Sequence, residues 1–188
     1  MQMTNHGGGT VLPFRGISPQ LADDVYVAPG ARIIGDVEIG AGSSIWFNCV
    51  LRGDVNSIRV GQGSNIQDGT VVHVSRKTHP THIGNDVLIG HMAMIHGCSL
   101  QDRSFVGLSS IVMDGCVIEE DGMLAAGSLL SPGKCIGAKE LWMGRPARRV
   151  RVLEDAEIAA YRQGVLGYAE LAQVYLSEAQ QRDGKDDQ

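Results

Sequence analysis

Aliphatic side chains return at every sixth position through most of this 188-residue chain. The positions form four blocks that keep the same spacing and are separated by insertions of three and five residues and by a one-residue slip. They are Leu21, Val27, Ile33, Ile39, Ile45, Leu51; Val60, Ile66, Val72; Ile83, Ile89, Ile95; and Leu100, Val106, Val112, Ile118, Leu124, Leu130, Ile136. A period of six matches neither the alternation of an ordinary strand nor the 3.6 residues of a helical turn. We therefore expect a repeat architecture with one hexapeptide as its unit.

Small residues surround the repeated aliphatic position. Glycine or an acidic residue often follows it, as in Ile39-Gly40 and Ile118-Glu119, and a compact residue such as Ser43 precedes it by two. The chain has 25 glycines and few aromatic residues, which suits narrow, turn-rich β structure. An antiparallel sandwich is the alternative, but it predicts irregular turn spacing. The pattern favours an all-β parallel β-helix of hexapeptide repeats, with a little over six coils.

The periodicity ends near residue 153, where the apolar spacing becomes helical. We place the β-helix domain at 14–152 and a C-terminal α-helix at 153–180, interrupted or loosened near Gly164 and Gly167. The ends, 1–13 and 181–188, are expected to be flexible because they are polar. The repeat resembles that of left-handed parallel β-helices, in which three hexapeptides close a triangular coil. The left hand is what this resemblance implies, since crossover connections are usually right-handed.

Charge and cysteine spacing exclude several classes of function. A formal charge of −5 argues against nucleic-acid and anionic-membrane partners. There is no apolar run of 18 residues and no signal-peptide pattern at the N-terminus, so we expect a cytoplasmic protein with no membrane partner. The four cysteines lack zinc-knuckle spacing and are expected to be free thiols. Cys98 and Cys116 lie 18 residues apart, so they should stack inside the coil.

The repeat converts sequence distance into spatial position. Residues three hexapeptides apart stack on neighbouring coils, about 4.8 Å apart. His73 and His96 each come directly after a repeated aliphatic position, and those two positions are three hexapeptides apart. Arg52 comes directly after the aliphatic position one coil earlier, so it belongs to the same column. Two imidazoles at this spacing can bind one metal ion.

Asp68 and His91 form a second column at the preceding corner, since each follows its register position by two. One chain cannot bring both corners to the same ion. Three prisms around a threefold axis can, because one corner of each chain meets the other corner of its neighbour. We predict a homotrimer whose sites combine His73 and His96 of one subunit with His91 of the next. Unrelated surface histidines are the alternative.

Two segments carry motifs of high specificity. They are WFNCVLRGDVNSIRVGQGSNIQDGTVVH at 46–73 and IGHMAMIHGC at 89–98. Their R-G-D, N-I-Q-D-G and H-x-x-x-x-H elements resemble the γ-class carbonic anhydrase family, especially its shorter bacterial members, and the likeness covers residues 14–152. The closing MGRPARRVR at 143–151 also resembles hexapeptide acyltransferases, so it does not discriminate.

The resemblance implies an enzyme, a carbonate dehydratase (a lyase) that hydrates CO₂ reversibly to bicarbonate by metal-bound hydroxide at trimer interfaces. His73, His91 and His96 match the metal ligands. Zinc is the expected ion, with Fe²⁺ or Co²⁺ as alternatives. Three imidazoles and one open position form a catalytic rather than a structural zinc pattern.

Further site residues are carried over from the same motifs. The residues that match an interface ion-pair network are Arg52, Asp54 and Asp68. Those that match polar groups beside the metal-bound water are Asn65 and Gln67. In the family a tyrosine of the C-terminal helix reaches the site, and Tyr168 is the first match, followed by Tyr161.

The chain departs from the fullest family members in its proton-transfer groups. Val55 follows R-G-D, and the insertion SRKTHPTH at 75–82 contains no carboxylate. His79 and His82 are the remaining candidates for a proton relay, with loop histidines of no such role as the alternative. The lack of carboxylates at these positions therefore predicts low catalytic activity. Two other functions stay open: a hexapeptide acyl-CoA-dependent acyltransferase, and a weakly active or non-catalytic trimeric metal-binding homologue.

Overall fold

The hexapeptide repeats wind into a left-handed parallel β-helix that carries one long C-terminal helix, as predicted. This computed structural model describes residues 6–186. The elements in chain order are β1 (Thr10–Leu12), β2 (Gln20–Leu21), β3 (Tyr26–Val27), β4 (Arg32–Ile39), β5 (Ser44–Ile45), β6 (Val50–Val60), β7 (Asn65–Ile66), β8 (Val71–His73), β9 (Thr81–Ile83), β10 (Leu88–Ile89), β11 (Met94–His96), β12 (Ser99–Leu100), β13 (Phe105–Val106), β14 (Ile111–Val112), β15 (Val117–Ile118), β16 (Met123–Leu124), β17 (Leu129–Leu130), β18 (Cys135–Ile136), β19 (Glu140–Gly144), β20 (Ala147–Val152) and α1 (Asp155–Asp186).

The strands stack in parallel to form three faces of a triangular prism. The first face has the order β17-β14-β11-β8-β6, and the second continues from β6 through β9, β12, β15 and β18. The third face has the order β3-β5-β7-β10-β13-β16-β19 and ends on the antiparallel strand β20. We call the corner between the first and second faces edge one, and the corner between the third and first faces edge two.

Strand β6 belongs to two faces because it bends around edge one. Its first half pairs with β8 and its second half with β9. Against β4, Gly53 pairs with Gly35 and Ile58 pairs with Val37, so residues 54–57 oppose Asp36 alone. The three-residue insertion in the sequence is therefore a bulge at edge one, which leaves the register on both sides intact.

The repeated aliphatic side chains fill the prism. Ile33, Ile66 and Leu124 are completely buried, as the period of six predicts. Cys98 and Cys116 are also buried, and they immediately precede the register-paired strands β12 and β15, as expected. All four cysteines are free, and burial raises the pKa of the Cys98 and Cys116 thiols. These two thiols therefore act as packing groups.

Helix α1 packs against β3, β5 and β7 on the third face. Ala172 and Leu176 are buried there in one cluster with Tyr26 and Trp46. The interruption expected near the two glycines was wrong, because the helix is continuous through them. Glycine lowers helix propensity by only about 1 kcal/mol, which packing of the apolar side of α1 overcomes.

The observed element boundaries differ from those drawn on the sequence. β1 lies within the segment 1–13, where it pairs with β4, and α1 begins at Asp155 and continues to Asp186, past the predicted end at 180. Residues 1–5 and 187–188 of the expected flexible ends lie outside the described residues. Among the residues that the structure describes, no helix has the length and apolar character needed to cross a membrane.

Candidate metal centre

His73 and His96 lie one above the other at edge one. They end strands β8 and β11 and are register partners, as the column argument predicts. Their ring centroids are 5.1 Å apart, and His73 Nδ1 lies 3.1 Å from His96 Nε2. Two nitrogens that bind one tetrahedral zinc ion at 2.0–2.1 Å are separated by about 3.3 Å. The pair therefore has the spacing of two ligands to one ion.

A carboxylate holds the outer nitrogen of each ring. His73 Nε2 lies 3.0 Å from Asp54 Oδ1, and His96 Nδ1 lies 2.5 Å from Asp114 Oδ1. When both imidazoles are neutral and donate their N–H groups to these carboxylates, the facing nitrogens His73 Nδ1 and His96 Nε2 both carry lone pairs. Two lone pairs that point at each other favour a cation between them.

Of the three residues predicted to form an ion-pair network, Arg52 and Asp54 pair at edge one, whereas Asp68 lies at edge two. Arg52 Nη1 donates to Asp54 Oδ2 at 2.5 Å. Although burial acts to raise it, hydrogen bonds from His73 and Arg52 lower the pKa of Asp54, so this carboxylate stays ionised at neutral pH. Gly53 lies between Arg52 and Asp54 in the chain, and a side chain there would collide with the Asp36 backbone carbonyl. The glycine of R-G-D is thus required by the close approach of β4 and β6.

Asp114 was not identified from the sequence. The second oxygen of its carboxylate accepts a hydrogen bond from the Ser75 hydroxyl at 2.6 Å. Burial acts to raise its pKa, but hydrogen bonds from Ser75 and His96 lower it below the ordinary value. Its carboxylate lies over Gly97, where a Cβ would collide with Asp114 and His79. Asp114 lies two residues after a repeated aliphatic position, whereas the column histidines lie one residue after theirs. Counting along the repeat therefore places Met113, and not Asp114, in the histidine column.

His79 and His82, the two candidate relay histidines, lie in different surroundings. His82 is an exposed residue of β9 on the second face, paired with Arg59 and Ser99. The His79 Cβ lies near Gly97 and its ring near Gly115, beside Asp114, and its Nδ1 is buried without a hydrogen-bond partner among the described residues. Of the two histidines, only His79 lies beside the His96–Asp114 pair.

His91 and Asp68 lie together at edge two. His91 follows β10, and its Nδ1 is 2.8 Å from Asp68 Oδ2, so the two form the second column that was predicted. Both side chains are about 40% exposed. Because Asp68 engages Nδ1, Nε2 is the His91 nitrogen available to a metal ion.

Asn65 and Gln67 are buried beside edge two. Asn65 donates to the Ser44 hydroxyl at 2.8 Å, and its carbonyl oxygen Oδ1 is buried without a partner in the chain. An orphaned buried acceptor indicates a group, such as a water or a ligand, that would complete it.

The helix brings Tyr168 to the same edge. Its ring lies 5.5 Å from the ring of Trp46. Trp46 comes directly after β5, the strand that pairs with Asn65 and Ile66 of β7. Tyr161 instead packs on Phe105 of β13 at 5.3 Å, three coils further along the third face than Trp46. Tyr168 therefore lies beside the turn that follows β5 at edge two, two coils before His91, and Tyr161 lies beside β13, one coil beyond His91.

The two edges flank one apolar face. The residues of the first face that point outward are Val50, Val71, Met94, Ile111 and Leu129. Helix α1 covers the third face and not this one. Within residues 6–186 of one chain, no group of three or more His, Cys, Asp or Glu side chains could hold a metal ion. The two candidate half-sites of one chain, His73–His96 at edge one and His91 at edge two, are thus separated by the width of an apolar face.

Comparison with known proteins gives consistent matches. A family model described as "Bacterial transferase hexapeptide (six repeats)" matches residues 18–53. The chain is 51% identical over 166 residues to "Gamma carbonic anhydrase 2, mitochondrial" of Arabidopsis thaliana, an alignment that covers 86% of this chain and 60% of that protein. The chain thus spans about 60% of the length of the Arabidopsis relatives it matches.

Two shorter relatives match over nearly their whole length. The chain is 43% identical over 157 residues to the "Probable carbonic anhydrase" of Methanocaldococcus jannaschii, covering 84% of this chain and 98% of that protein. The crystal structure of a hexapeptide transferase family protein from Anaplasma phagocytophilum is 48% identical, with a TM-score of 0.85 over 88% of this chain and 98% of that one.

Proposed function

This chain belongs to the gamma carbonic anhydrase family of hexapeptide-repeat proteins, and from that premise we propose that it catalyses the reversible hydration of CO₂ to bicarbonate at metal sites between subunits. The observation that carries the proposal is the His73–His96 pair. Its two facing nitrogens lie 3.1 Å apart, and Asp54 and Asp114 direct both lone pairs toward each other. Zinc is the ion that this all-imidazole donor set fits best, with Fe²⁺ and Co²⁺ as alternatives.

The third ligand is His91 of a neighbouring subunit in a homotrimer. The first face is apolar and lies between the two half-sites, so covering it with a second copy of the chain joins edge one of one subunit to edge two of the next. Around a threefold axis this contact repeats and closes, giving three equivalent sites. The same contact buries Met94, which is 43% exposed in one chain.

The metal ion, when bound, supplies Lewis acidity that makes hydroxide available from water near neutral pH. The chain's own residues orient the reactants. Gln67 and Asn65 hold the attacking water through their amide groups, and the unpartnered Asn65 Oδ1 supports this role. Arg52, which is 44% exposed, attracts the anionic product, and Tyr168 borders the site from the helix.

An acyl-CoA-dependent acyltransferase is the second candidate, and the transferase relative of known structure favours it. Such an enzyme needs a histidine base with a free nitrogen toward the acceptor. Here the inner nitrogens of His73 and His96 face each other, which favours metal binding instead. Release of free CoA from acetyl-CoA in the presence of acceptor amines or alcohols, without CO₂ hydration, would support the acyltransferase.

The decisive experiment combines metal analysis with stopped-flow CO₂ hydration. We expect one metal ion per chain, hydration that disappears with a chelator and returns with Zn²⁺ or Co²⁺, and loss of both properties in His96→Ala. His82→Ala is the matched control, because His82 is an exposed histidine of the second face. Stoichiometric metal without any hydration would favour a non-catalytic homologue.

Asp114→Asn should weaken metal binding by about 10- to 100-fold, because the amide no longer fixes the His96 tautomer or raises its basicity. Competition with a chromophoric chelator measures this affinity. Asp155→Asn is the control, since Asp155 is 89% exposed and far along the chain in the first turn of α1. Unchanged affinity in Asp114→Asn, with an unchanged melting temperature, would contradict the positioning role.

Turnover should depend strongly on buffer, because the chain lacks an acidic proton-transfer loop. We expect kcat to rise with imidazole concentration, and His79→Ala to lower kcat in dilute buffer but not in concentrated imidazole. His82→Ala should leave kcat unchanged. If neither buffer concentration nor His79→Ala changes kcat, proton transfer does not limit the reaction.

A further inference from the structure

A cleft of about 370 Å³ lies at edge one, beyond the metal half-site. Three segments border it: the turn Phe14–Ile17, the bulge of β6, and the loop that begins at Ser75. The β6 bulge and the Ser75 loop are insertions between hexapeptides and belong to no repeat. The N-terminal turn is closed by backbone hydrogen bonds between Phe14 and Ile17. The cleft is therefore formed by additions to the repeat.

The cleft carries unneutralised positive charge. Arg15, Arg76 and Lys77 line it, and none of them has a carboxylate partner among the side chains that the structure describes. The carboxylates that line it are already paired. Asp36 accepts from Arg59 at 2.8 Å, and Asp54 is held by Arg52 and His73.

Apolar side chains also line the cleft beside these cations, and the Arg15 guanidinium lies 5.2 Å from the centre of the Phe14 ring. Phe14, Ile17 and Val55 border the cleft, and Ile17 is 51% exposed. A volume of this size lies at the small end of the range for small-molecule sites, about 300–1,000 Å³. Cations and an apolar wall together select a small molecule with an anionic group and a hydrocarbon part.

We propose that this cleft binds a small organic phosphate. Arg15, Arg76 and Lys77 hold the phosphoryl group, and Phe14, Ile17 and Val55 contact the apolar part. A phosphate monoester is favoured over a carboxylate because three cations match a dianion, and the arginine fork binds phosphate oxygens in pairs. The proposal concerns a site separate from the CO₂ chemistry, although Asp54 borders both.

Calorimetric titration of the full-length, metal-loaded protein with phenyl phosphate tests the proposal. Inorganic phosphate lacks the ring and phenol lacks the charge, so both should bind at least about tenfold more weakly. Affinity for phenyl phosphate should be the same after the metal ion is removed with a chelator, which separates the cleft from the proposed metal site. Raising the salt concentration should weaken binding.

Paired variants locate the site. Arg76→Ala/Lys77→Ala should weaken phenyl phosphate binding at least about tenfold, as the loss of charge-assisted hydrogen bonds predicts. Arg145→Ala/Arg148→Ala removes the same charge from exposed arginines beside β19 and β20 and should change affinity less than twofold. Equal losses in the two double variants, no detectable binding, or equal affinity for phenyl and inorganic phosphate would each overturn the proposal.

Discussion

Mixing His73→Ala subunits with His91→Ala subunits should restore metal binding that neither variant has alone. The first substitution removes a ligand from edge one and leaves edge two complete, and the second does the opposite. In randomly mixed trimers, about one quarter of the interfaces combine an intact edge one with an intact edge two. Each pure variant has no intact interface, so the expected change is from no stoichiometric metal to about one quarter of the wild-type content.

Metal analysis after subunit exchange, with exchange verified by mass-tagged subunits, measures this result. The matched control is a mixture of His73→Ala and His96→Ala, which both damage edge one because the two rings are register partners. That mixture should recover no complete site. Recovery in the control, or none in the test mixture after verified exchange, would contradict the assignment of the histidines to two half-sites.

Ile111→Asp should abolish both assembly and metal binding while leaving every proposed ligand in place. Ile111 points outward from β14 of the first face, between Met94 and Leu129 on the neighbouring coils. In the proposed trimer this position is buried, and an unpaired carboxylate there costs at least about 3 kcal/mol per subunit. The variant should sediment as a monomer and bind no stoichiometric metal.

Val117→Asp is the matched control for this substitution. Val117 holds the equivalent outward position on β15 of the second face, between Ser99 and Cys135. It should keep the trimeric mass and the metal content of the wild type. A wild-type monomer that binds one full equivalent of zinc, or an Ile111→Asp trimer that retains its metal, would rule out the proposed interface.

The hexapeptide period was sufficient to predict most of the fold and the main features of the site. Each coil advances by the same number of residues, so counting places side chains on columns without knowledge of any loop. This is why the stacking of His73 on His96, the pairing of Asp68 with His91, and the stacking of Cys98 on Cys116 were all predicted. The left hand of the helix came from resemblance, because periodicity is the same for either hand.

Only the tertiary structure showed which residues outside the hexapeptide register come into contact. Asp114 reaches His96 from a position one residue beyond the histidine column, and Ser75 meets it from an insertion 39 residues earlier. The cleft between Phe14, Val55 and Lys77 likewise joins three turns that the repeat does not align. The physical reason is that a strand's register is fixed by periodic backbone hydrogen bonds. A loop's conformation depends instead on long-range side-chain contacts that no local pattern records.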